Sequence, residues 1–160
     1  MGTSAYIIMD RKKFTTERLL SDTIIATFHT DLMLTLNNDK DYSEEGEFLC
    51  TTLNISDKLV VENGKSFIYY VHATNYPYLT FYDHEEVGLD PSRDLCQVGY
   101  IEEIYDVQEI IFEFIYEYLK LNPEDYFWIP DYDWVYSWED MQHLKSLPYD
   151  PQWCYKNPKY

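Results

Sequence analysis

From Ile104 to Leu121 the chain carries one long amphipathic pattern, and that stretch constrains the fold more than any other. Apolar residues fall at Val107, Ile110, Ile111, Phe114, Tyr118 and Leu121, the spacing of one face of a 3.6-residue helix. Asp106 with Glu109 three residues on reads as a capping box, and Tyr105 is placed to staple onto Ile110. Asn122-Pro123 ends the pattern, because proline disfavours helical geometry in the residue before it and cannot continue the turn. The expectation is a helix over about 106–121 with an apolar face turned to a core.

The other face of this helix carries Glu109, Glu113 and Glu117 in i, i+4 succession. Like charges at that spacing cost a helix roughly 0.2–0.5 kcal/mol per pair, so the stripe does not serve the helix itself. It is either a solvated face that keeps the chain soluble or a surface for a basic partner.

Before the helix, short apolar runs alternate with polar breaks. Residues 5–9, Leu32 to Leu36, Phe48 to Ile55, Ser66 to Thr74, Tyr78 to Tyr82 and Cys96 to Ile101 read as strands. Leu59 to Val61 is expected to pair with 66–74 across Asn63-Gly64, a strong local hairpin signal. Residues 37–47 and 84–94 read as loops. Thr15 to Phe28 is ambiguous: Leu20, Ile24 and Phe28 keep helical spacing, whereas Thr23 to Phe28 is rich in β-branched residues. A helix over 15–22 is the reading adopted.

After the helix, residues 126–138 hold seven aromatics in thirteen positions, interleaved with Asp131 and Asp133. Ser137 is placed to cap a short helix over about 138–146, with Trp138, Met141, Leu144 and Leu147 inward and Pro148 ending it. The tail to Tyr160 is expected to be irregular and held down by its aromatics. These elements give an α+β domain over 5–160: an antiparallel sheet of about five or six strands in the first hundred residues, covered by the long helix and the short one. Residues 1–4 resemble a cloning remnant and are set aside.

The 160 residues hold 29 acids against 12 Lys and Arg, a net charge of −17, and eighteen of the acids lie in residues 81–160. Such a field repels nucleic acid and anionic membrane and attracts a basic protein. No apolar run is long enough to span a bilayer, and the N-terminus lacks a secretory pattern. Cys50, Cys96 and Cys154 are far apart and odd in number, which argues for reduced thiols in a cytoplasmic protein rather than a disulfide framework or a zinc site.

Catalytic and metal motifs are absent from the sequence. The five glycines never cluster into a phosphate-binding loop, and His84-Glu85-Glu86 lacks the second histidine of a zinc-protease helix. Asp131 and Asp133 with Glu124 or Asp125 offer oxygen ligands for a hard cation, without EF-hand spacing. No cofactor is expected.

The strongest candidate surface is therefore acidic and aromatic: Glu109, Glu113 and Glu117, with Asp131, Tyr132, Asp133, Trp134, Tyr136, Glu139 and Asp140. Tyr and Trp supply contact area at low entropic cost, and Arg and Lys pair with carboxylates while stacking on rings. The competing reading is that the aromatics fill a core. By size, acidity and this tyrosine-rich acidic surface, rather than by a motif, the chain resembles small immunity proteins of bacterial toxin systems and acidic phage inhibitors that imitate phosphate charge. That resemblance implies a cytoplasmic inhibitor, monomeric or homodimeric, occupying the cationic site of a nuclease-like toxin or other nucleic-acid enzyme. Two alternatives are a small enzyme or ligand-binding domain with an aromatic-lined pocket, which a deep concave site with convergent polar groups would favour, and a self-associating structural module.

Overall fold

In the computed structural model, which describes residues 2–57 and 64–160, the near-continuous apolar run at the N-terminus forms strand β1 (Ala5–Asp10). Ala5, Ile7, Ile8 and Met9 are all buried, as a strand covered on both faces must be. β1 pairs with β5 (Leu95–Ile101) on one side and with β6 (Tyr126–Trp128) on the other. With β2 (Met33–Tyr42), β3 (Phe48–Ser56), β4 (Ser66–His72) and β7 (Val135–Tyr136), the sheet runs β2-β3-β4-β5-β1-β6-β7, and every neighbouring pair is antiparallel.

The α+β class and the antiparallel sheet agree with expectation, but the sheet is wider. Five strands come from the first hundred or so residues, as anticipated, and the aromatic segment adds two more at the far edge. Tyr78 to Tyr82 is not a full strand. Thr80 alone bridges Cys96, flanked by bonds from Phe81 N–H to the Leu95 carbonyl and from Gln97 N–H to the Leu79 carbonyl. The expected loop over 37–47 is also shorter, because β2 runs through to Tyr42 across an irregularity between Leu36 and Lys40. β4 pairs with β3 and β5; the anticipated partner strand at 59–61 lies outside the described residues.

One face of the sheet carries the helices. α1 (Thr16–Phe28) and α2 (Gln108–Leu121) pack on each other there, and α1 also packs on β4. Leu19 and Ala26 of α1, Phe114, Ile115 and Tyr118 of α2, and Ile7, Leu53, Tyr69, Val98 and Phe127 of the sheet belong to this core. α1 is thus six residues longer than anticipated at its C-terminal end. Thr15 caps it by accepting from the Arg18 N–H at 3.0 Å. Its β-branched residues are accommodated because the Thr23 and Thr27 hydroxyls bond back to the Leu19 and Thr23 carbonyls at 2.7 and 2.9 Å. Local β preference yields to tertiary packing.

The opposite face is covered in part by the segment before β5. Phe81 and Val87 pack there on Ile8, Leu95, Trp128 and Val135 of the sheet. Gly99 permits the irregular pairing of β1 with β5: its φ is +60°, and a Cβ there would lie 2.5 Å from the Tyr69 hydroxyl oxygen. Both the left-handed backbone and the close approach require glycine.

The C-terminal part follows the expected order. α3 (Trp138–Ser146) is capped by Ser137 in a full capping box with Asp140. Met141 is buried and Trp138 and Leu144 pack partly on the core, but Leu147 is exposed. The tail closes with a short 3-10 turn (Trp153–Tyr155) whose Trp153 ring packs against Phe112, Phe127 and Tyr136. Residue Thr3, set aside with the N-terminal four, is engaged too, since its carbonyl accepts from the Ile104 N–H at 2.9 Å.

Candidate functional site

α2 begins differently from its sequence signature. Asp106 is not the N-cap: it takes φ +65°, and Val107 stands at the cap without a side-chain bond. The left-handed turn swings the Asp106 carboxylate outward, where it accepts from the Lys65 ammonium at 3.1 Å. Tyr105 is exposed and forms no staple on Ile110. Aspartate tolerates this conformation better than most residues with a Cβ.

That turn and the exposed side of α2 line a cleft of about 670 Å³. Asp31, Asp57, Asp106, Glu109 and Glu113 all contribute to it, with Lys65 as its one described cation. A shallower cleft of about 450 Å³ continues along the helix, lined by Phe28, Asp31, Glu113, Tyr116, Glu117 and Lys145. Asp31 and Glu113 line both, so the two form a continuous groove beside α2. Burial pushes the Glu113 carboxyl above its ordinary range, and Glu109 and Asp31 push it further the same way, while Lys145 opposes them. Tyr149, which lines the same cleft, is pushed up to about 12, first by burial and then by Glu109. In both groups burial is the first cause, and neighbouring carboxylates add to it.

The helix stripe therefore occupies a concave setting. Glu109 is exposed, and Glu113 and Glu117 are half-buried. The aromatic segment behaves otherwise. Tyr136 is wholly buried, its hydroxyl within hydrogen-bond distance of the Trp153 and Lys156 carbonyls at 3.1 and 2.8 Å. It offers no surface, which corrects its place in the candidate set. Tyr132 and Trp134 stack on each other at 4.5 Å and 10° and pack partly against the core. Asp131, Asp133 and Glu139 are exposed, whereas Asp140 is engaged in the α3 cap. None of residues 124–140 lines the α2 cleft, so the structure separates the two halves of the predicted surface.

The hard-cation possibility at 124–133 dissolves for a specific reason. Asp125 points inward, with its carboxylate bonded to Lys13 and Tyr118 at 3.0 Å each, while Asp131 and Asp133 face solvent. Among the described residues no group of three His, Cys, Asp or Glu side chains is placed to hold a metal ion. The three cysteines are buried free thiols.

Asp31 and Asp57 escaped the sequence reading. They lie in polar stretches far from α2 in sequence, and only the α1–β2 connection and the end of β3 bring them to the cleft. No local pattern marks such a convergence.

Comparison with protein-family models, with curated proteins and with solved structures gives no match. No helix among the described residues is long and apolar enough to cross a membrane.

Proposed function

We propose that this protein is an acidic inhibitor that binds a basic protein, in the manner of an immunity protein neutralising a nuclease-like toxin in the cytoplasm. The carrying observation is the carboxylate-lined groove beside α2, which gathers acids from three parts of the chain around one concavity. Concave acidic walls focus the field, speed encounter with a cationic surface and suit the reception of Arg or Lys side chains. Tyr105 and Tyr149 on the same rim add rings on which a guanidinium stacks.

The concavity also fits the shape of a ligand pocket. The described lining of its larger part, however, contains no histidine, serine or cysteine, and Lys65 there is already paired with Asp106; the continuation along the helix adds His29 and Lys145. Receipt of a cation is the chemistry those groups support. A single-stranded or duplex nucleic acid is disfavoured by the same charge.

The test is a pull-down from the native host at low salt, followed by titration of the captured protein. Reversing Glu109, Glu113 and Glu117 to lysine is expected to weaken binding by at least about a hundredfold, and raised salt is expected to weaken the wild-type complex. Reversing Asp131 and Asp133 provides the contrast. If only the second pair matters, the groove is the wrong surface; if neither matters, the reading itself fails.

A further inference from the structure

The C-terminal half of helix α1 buries Ala26 but turns larger apolar side chains outward. Its buried residues include Thr23 and Thr27, whereas Ile24, Ile25 and Phe28 are 44%, 39% and 82% exposed. The threonines are tolerated inside because their hydroxyls are bonded, Thr23 to the Leu19 carbonyl and beside the Tyr69 hydroxyl at 3.1 Å, and Thr27 to the Thr23 carbonyl. Nothing comparable explains the outward isoleucines and phenylalanine. They form an apolar ridge on a helix surface that folding alone would make polar.

The ridge has a charged neighbour. Phe28, at its end, lines the same cleft as Asp31, Glu113 and Glu117, where three carboxylates outnumber the one described cation, Lys145, and His29 also lines the wall. Apolar surface and carboxylates are therefore contiguous across the α1–α2 boundary. A surface of that composition is complementary to a segment with apolar side chains on one face and Lys or Arg along its flank. A second copy of this chain is a poor fit, because it brings its own carboxylates against these in a molecule of net charge −17.

We propose that the α1 ridge (Ile24, Ile25, Phe28) and the α2 carboxylates Glu113 and Glu117 form one docking surface for a basic amphipathic helix of a protein partner. This rests on the reading of the protein as a binder of basic partners and adds the apolar half of the contact. The apolar residues of the partner helix lie on the ridge, in helix-in-groove fashion, and its cationic flank meets Glu113 and Glu117. The carboxylates set attraction and orientation; the ridge discriminates an ordered amphipathic helix from mere positive charge.

The probe is a fluorescein-labelled peptide of Leu, Lys and Arg about 18 residues long, roughly 27 Å as a helix, compared with a scrambled isomer of the same composition. Anisotropy titration is expected to show the ordered peptide binding at least about tenfold tighter than the scrambled one. Phe28→Ser is expected to erase most of that difference with little change in Tm, because this side chain is 82% exposed, and Ile24→Ser/Phe28→Ser to erase it fully at a small cost in Tm. Glu113→Gln/Glu117→Gln is expected to weaken both peptides. Equal binding of the two peptides to the wild type, with both weakened by the glutamine variant, overturns the ridge and leaves the charge reading standing. Absence of binding by either peptide, or binding indifferent to the glutamine variant, overturns both. A wild-type dimer in sedimentation equilibrium that Phe28→Ser dissociates overturns the proposal in favour of a second copy.

Discussion

The Lys13 ammonium lies 3.0 Å from one carboxylate oxygen of Asp125, and the Tyr118 hydroxyl donates to the other at 3.0 Å. Asp125 is 1% exposed, so a segment just after β1 is tied by a buried charge to the turn between α2 and β6. Burial raises the Asp125 carboxyl above its ordinary value, while the bonds from Lys13 and Tyr118 oppose that shift. Lys13→Met leaves this carboxyl without its cation and is expected to cost about 3 kcal/mol or more, lowering Tm by about 10 °C. Lys13→Met combined with Asp125→Leu is expected to be less harmful than Lys13→Met alone, because breaking a buried pair costs more than replacing it. Thermal denaturation of the two variants at pH 7 checks the order.

Glu113 gives a pH dependence of unusual sign. Its folded carboxyl is raised by burial, Glu109 and Asp31, so the folded state binds the proton more readily than the unfolded chain. The associated stability is present below the ordinary glutamate value and is lost as pH rises through the folded value. Wild type is therefore expected to lose stability on going from about pH 4.5 upward, relative to Glu113→Gln. At pH 7 the glutamine variant is expected to melt about 1 °C higher, the scale of removing one like-charge helix pair. Parallel melting curves for the two proteins across this window would contradict the assignment.

Asp106 separates a backbone role from a capping role. At φ +65° a glycine fits without strain, whereas alanine retains the Cβ clash and loses the local bonding that helps aspartate there. Asp106→Gly is expected to leave Tm unchanged or raise it, and Asp106→Ala to lower stability by about 1 kcal/mol. The surface pair with Lys65 contributes little to this comparison. A drop in Tm for the glycine variant would restore the capping interpretation.

The thiols are expected to be inert in the native protein. Cys96 and Cys154 are pushed up to about 12 and Cys50 to about 11, in each case chiefly by burial. A thiol reagent at pH 7.5 is expected to label none of the three until denaturant is added, since the thiolate is the reactive form. Rapid native labelling of Cys50, the most exposed of them at 8%, would show that β3 opens locally.

Much of this architecture was legible because it is periodic. The apolar faces of α2 and of the Ser137-capped α3 repeat at helical spacing, and β1 is a short apolar run; the structure bears these out except at the helix ends, where Leu121 and Leu147 are exposed. The misses share a cause. The β-branched run of α1 argues locally for strand and so hides the last six residues of the helix. Asp106 has the spacing to Glu109 that a cap requires, but its backbone angle is wrong for that role. The aromatic segment was legible in composition but not in placement: Tyr136 and Trp128 are buried while Asp131 and Asp133 remain outside.

By itself the sequence determined the α+β class, the antiparallel sheet and the acidity of the outer face of α2, because hydrophobic period and net charge are properties of short stretches and of composition. Only the tertiary structure decided that the glutamate stripe lies in a groove with Asp31 and Asp57, that the stripe and the 131–134 loop do not line one cleft, and that Ile24 and Phe28 face outward. Those facts depend on contacts between residues distant in the chain, and on which of two faces a helix turns to its neighbour. Local periodicity carries no information about either.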